Sequence, residues 1–143
     1  MLQKGIVLVV ILVLLVSTHH SWAARLPEKR ESATHILSGL VQRVYVEKTM
    51  ADSEFQGVIV EIRVDTMEMG TGFKRGDLVH VLFYEPNPSY RPTGVPRGPN
   101  GGGPHRYVPK KGEIVKVFLK GRHGNYSAVW PDGVDVLGHS DKR

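Results

Sequence analysis

The sequence predicts an all-β domain, a small barrel of five or six strands that follows a signal peptide. Three observations carry that expectation. Apolar residues recur at every second position in the runs 58–64, 78–84 and 114–120, the period of a strand with one buried face. Turn clusters rich in glycine and proline separate these runs. No amphipathic helical pattern follows the N-terminal apolar segment.

That segment has the layout of an export signal. Residues 1–4 are short and basic, residues 5–16 are almost all aliphatic, and Ser21-Trp22-Ala23 offers the small-x-small pattern of a signal peptidase site. The apolar run falls short of the roughly 20 residues that a bilayer-spanning helix needs. The expectation is a signal peptide over residues 1–23, cut after Ala23 or after Ala24, and a secreted or periplasmic product; an uncleaved anchor is the alternative.

The chain has 143 residues and no cysteine, so the mature part is one domain held by its apolar core alone. Thiol nucleophiles, thiolate zinc sites and dithiol redox motifs are excluded. The formal charge is +5, carried unevenly. Residues 25–85 have a net charge of −2 and residues 86–143 a net charge of +6. The basic half suits an anionic polymer; lysines that merely solvate the outer faces of strands are the competing reading.

Taken in order, residues 24–33 form a polar, flexible leader. Residues 34–48 form the first strand, with Leu40, Val44 and Val46 facing inward and Gly39 marking a bend. The second strand is 55–64, with Val58, Val60, Ile62 and Val64 on the core face. Residues 65–76 are a turn-rich connection whose Met67, Met69 and Phe73 close the bottom of the core. Arg75-Gly76-Asp77 spells an adhesion tripeptide, but its place before a strand makes it a turn. The third strand, 77–84, is apolar on nearly both faces and is expected to lie centrally.

Residues 85–109 carry seven prolines and five glycines, which excludes a helix or a central strand. This long loop reads as a solvated linker, with a ligand-binding loop as the alternative. Strands follow at 113–120, 126–130 and 134–137, joined by turns at 121–125 and 131–133. Residues 138–143 are a polar tail.

No catalytic constellation stands out. The histidines lack metal-ligand spacing, no Gly-x-Ser-x-Gly elbow occurs, and the close carboxylates Glu61/Asp65 and Asp132/Asp135 lack an acid–base setting. The glycine-rich stretch 99–104 lacks the Lys-Ser/Thr pair of a phosphate loop. The expectation is therefore no enzyme and no cofactor; a site dispersed along the chain is the alternative. Binding is the better reading. Barrels of the OB type take ligands on the outer faces of central strands and on two flanking loops. The candidate residues are Arg43, Tyr45, Arg63, His80, Lys116, Phe118 and Lys120 on strands, with Arg106 and Tyr107 on the long loop. Mixed basic and aromatic side chains suit an anionic polymer or a protein partner. Export argues against nucleic acid. A structural or accessory domain for protein–protein contact is the second reading.

Several stretches resemble the netrin-like OB fold of the tissue inhibitors of metalloproteinases. They are Gly39-x-Val41, VIVEIRV at 58–64, FKRGDLVHV at 73–81, KGEIVKVFL at 111–119, Gly124-Asn125-Tyr126 and Asp132-Gly133. The resemblance spans about residues 38–137 and implies a secreted five-stranded barrel. It does not imply inhibition, because those inhibitors bind a protease's zinc through an N-terminal cysteine and this chain has none.

Overall fold

The computed structural model describes residues 27–47, 53–91, 103–122 and 124–140. The expected signal peptide and its cleavage site lie outside these residues. Six strands form the domain: β1 (His35–Val46), β2 (Phe55–Met69), β3 (Leu78–Pro86), β4 (Glu113–Arg122), β5 (Asn125–Ala128) and β6 (Val134–His139). Neighbours run in the order β1-β2-β3-β5-β4, and β1 pairs again with β4 to close a five-stranded barrel. Sixth in the chain, β6 lies outside the ring on β4. All pairings are antiparallel except β3–β5. The all-β, OB-like expectation holds.

Alternation builds the interior. Val58, Val60, Ile62 and Val64 of β2, Val79, Val81 and Phe83 of β3, and Val115, Val117 and Leu119 of β4 are all buried. Each such side chain contributes about 1.5–3 kcal/mol relative to leaving it in water. Leu37 and Val41 of β1 complete the ring, and Phe73, Val108, Tyr126 and Val134 pack against it.

The first strand corrects the expected phase. Its inward residues are Leu37, Gly39 and Val41, whereas Leu40 is half-buried and Val44 and Val46 are exposed. Register shifts between Ile36 and Leu37, Ser38 and Gly39, and Val41 and Arg43 reset the alternation. Gly39 is where β1 bends, pairing with Val64 of β2 on one side and Val115 of β4 on the other. A Cβ there would stand 2.2 Å from the Arg63 carbonyl oxygen, so only glycine fits so close to β2.

The second strand is longer than expected. It continues through Met69, past the expected end at Val64, because Thr66, Met67 and Met69 find partners on β1. Phe73 closes the core as expected, Met67 is half-buried and Met69 is exposed. Arg75-Gly76-Asp77 is a turn: Gly76 has φ +94°, and the Asp77 carboxylate accepts the Lys74 N–H at 2.8 Å.

Two segments read as flexible are fastened down. In the leader, the Glu28 N–H donates to the Trp130 carbonyl at 2.8 Å, and a 3-10 turn spans Arg30–Ser32. In the long loop, residues 103–109 lie on the barrel. The Trp130 indole N–H donates to the Pro104 carbonyl at 3.0 Å, and the Arg106 N–H to the Pro131 carbonyl at 3.1 Å. His105 is buried, its Nδ1 accepting the Tyr84 N–H at 2.9 Å. That bond places the ring proton on Nε2, which donates to the Ala128 carbonyl at 3.2 Å. The linker reading fails for these residues, because buried backbone groups of β3 and β5 use the loop as their partner.

Candidate functional site

The outer face of β1, β2 and β3 carries two cross-strand rows. Tyr45, Ile59 and Leu82 face one another in register, and Leu82 continues to Ser127 of β5. Arg43, Glu61 and His80 form the second row. Neighbours in such rows are close enough for their side chains to interact directly. Glu61 is the fixed point, only 8% exposed. His80 Nε2 lies 3.2 Å from one of its oxygens and Arg43 Nε 3.9 Å from the other. Arg43 also donates to the Tyr45 hydroxyl at 3.4 Å, which raises the guanidinium's pKa further, with Glu61 adding to the effect.

A cleft of about 360 Å³ lies over this face. Ile59 and Leu82 supply its apolar part, while Glu47, His80, Asn125 and Ser127 supply polar atoms. The β4–β5 turn forms one wall at Gly124 and Asn125. Central strands together with the turn between the fourth and fifth strands are where OB barrels hold their ligands. The location follows from topology and the chemistry is mixed rather than basic.

The structure divides the nine candidate residues. Arg43, Tyr45 and His80 share the face just described. Arg63 lies apart, in a hollow of about 480 Å³ beside Asp65 and Arg75. Lys116, Phe118 and Lys120 lie on β4, where local partners take up their charge. Lys116 pairs with Glu68 at 2.5 Å and Lys120 with Glu28 at 3.2 Å. Phe118 is covered by the Arg30 guanidinium, 4.5 Å from the ring centroid, and by the Lys116 ammonium at 5.7 Å. Arg30 in turn forks onto the Asp135 carboxylate at 2.6 and 2.9 Å.

The loop residues are also engaged. Arg106 lies 3.4 Å from Asp132. The Tyr107 hydroxyl donates to Glu113 at 2.5 Å, which pushes its pKa up to about 12. Burial raises the Glu113 carboxyl, but the Lys110 N–H, the Tyr107 hydroxyl and nearby His139 together hold it below its ordinary value. This cluster ties the end of the loop and the end of β6 to the start of β4.

Sequence reasoning missed Ile59, Leu82, Asn125 and Ser127 as site residues, and Glu28 and Arg30 as the groups that cover β4. The outward phase of β2 and β3 was a usable signal for the first two. Among the described residues, no group of three or more His, Asp or Glu could hold a metal ion. No family model matches this chain, and no curated protein or solved structure matches it.

Proposed function

We propose that this chain is an exported, non-enzymatic binding domain whose contact surface for a protein partner is the outer face of β1, β2 and β3. The observation that carries the proposal is the cleft at the OB ligand position, with the apolar Tyr45–Ile59–Leu82 row beside the charged Arg43–Glu61–His80 row. An apolar centre with polar groups at its margin is the make-up of a protein contact. Binding is favoured over hydrolysis because Glu61 already engages His80 Nε2, and no hydrogen bond joins the imidazole to Ser127 in the same cleft. Metalloprotease inhibition forms no part of the proposal, since the required cysteine is missing.

An anionic polymer is the second reading, favoured by the net charge of +5 and by exposed Lys110, Lys111 and Arg122. A heparin column developed with salt separates the two, run beside a control protein of equal net charge. Elution with the control supports the protein-partner reading. Later elution that Lys110→Glu with Lys111→Glu abolishes would overturn it.

A further inference from the structure

Beyond Leu40, β1 loses β4 as a neighbour. The pairing of the two strands covers His35 to Leu40, and the Gly112 N–H reaches the Val41 carbonyl at 2.9 Å as the last contact along that edge. From there β1 and the segment 108–111 part around a cleft of about 330 Å³ lined by Val44, Val46, Val58 and Val108. On its other edge β1 stays paired with β2 as far as Val46, and the Glu47 N–H donates to the Gly57 carbonyl at 2.9 Å. Bonding groups in an antiparallel ladder alternate between the two edges. The Glu47 bond therefore turns the N–H and C=O of Arg43 and Tyr45 toward β2, and those of Val44 and Val46 toward the open edge. Among the described residues, no backbone group pairs with that edge.

The same stretch exposes its side chains, with Val44 at 38%, Tyr45 at 42% and Val46 at 57%. A bare strand edge with apolar side chains is a template for another strand. Charge selects the occupant. Arg43 and Glu47 flank the stretch with opposite signs, so the edge is complementary to itself when reversed.

We propose that this edge of β1 pairs antiparallel with the same edge of a second copy of the chain, about a two-fold axis at Tyr45. Three registers match bonding groups to bonding groups. Val44 against Val44 would set Arg43 opposite Tyr45, and Val46 against Val46 would set Tyr45 opposite Glu47. Val44 against Val46 sets Arg43 opposite Glu47 of the second copy, twice by symmetry, with the two Tyr45 side chains facing each other. Only this register sets each charge opposite one of the other sign, and Arg43 and Glu47 fall at non-hydrogen-bonded positions, where side chains come closest. The contact is isologous, so it closes as a dimer and does not propagate. The outer faces become continuous across the axis, and the Tyr45–Ile59–Leu82 row is doubled.

Sedimentation equilibrium of the protein purified from full-length expression tests this. The expected result is a concentration-dependent dimer that Arg43→Glu weakens about tenfold or more, as does Glu47→Arg, since each replaces two attractions with two repulsions. Mixing the two variants should restore the dimer, because each then meets its opposite charge. Circular dichroism checks that both are folded, and the mixing experiment distinguishes lost pairing from damage to Arg43's contact with Glu61. A protein that stays monomeric up to about millimolar concentration, including one whose edge takes only a peptide from another protein, overturns the proposal. Dimers unaffected by either variant, or variants that stay apart on mixing, overturn it as well.

Discussion

Gly39→Ala tests the bend on which barrel closure depends. The added methyl would stand 2.2 Å from the Arg63 carbonyl oxygen and 2.9 Å from the Ile62 Cγ2 methyl. Carbon and oxygen settle at about 3.3 Å, so β1 and β2 must separate by about 1 Å. Ladder bonds beside Gly39 would stretch from about 2.9 Å toward 4 Å and cease to be hydrogen bonds. Losing one or two of them costs about 1 kcal/mol each, and overpacking adds about 1–3 kcal/mol. The total is about 2–5 kcal/mol, or a fall in Tm of about 8–20 °C for a domain of this size. Gly138→Ala is the control, because nothing lies within 4 Å of a Cβ at that position. Calorimetry should show the first variant melting well below the parent and the control within about 2 °C of it. Equal melting of Gly39→Ala and the control would refute the close approach of β1 to β2.

Three further outcomes are expected. His105→Leu leaves the Tyr84 N–H and the Ala128 carbonyl without partners, at about 2–4 kcal/mol, and should speed hydrogen exchange in residues 103–109 before the β-ladders respond. The Glu113 carboxyl is held below its ordinary value of 4.5, so its contribution is complete above that pH and is lost as the pH falls through the depressed value. Glu113→Gln should therefore lose less Tm than the parent between about pH 6 and pH 3, as melting curves at both would show. Arg30→Ala removes a half-exposed fork to Asp135 and uncovers Phe118, costing about 1 kcal/mol in a denaturant titration and releasing the 3-10 turn.

Much of the barrel was legible because β2, β3 and β4 keep a strict alternation of Val, Ile, Leu and Phe against polar or mixed residues. The first strand was not, since its bulges are set by partners on β2 that are 18 to 33 positions away. Val44 and Val46 read as core because they are β-branched and alternate. They are exposed because β4 has already turned away from them. The candidate site was half legible. His80, Arg43 and Tyr45 stand together, whereas Lys116 and Lys120 looked free because Glu68 and Glu28 are remote in sequence. His105 sat in a proline-rich loop with no local sign that β3 and β5 would bond to it.

The proposed partner contact lies on the outer face of β1, β2 and β3. Site-specific photocrosslinking in the producing cell tests it most directly, with a photoreactive residue in place of Leu82 in one variant and of Lys116 in another. The expected result is a discrete adduct from position 82 that unlabelled protein competes away, and none from position 116. A competable adduct from position 116 alone would contradict it and move the contact to β4.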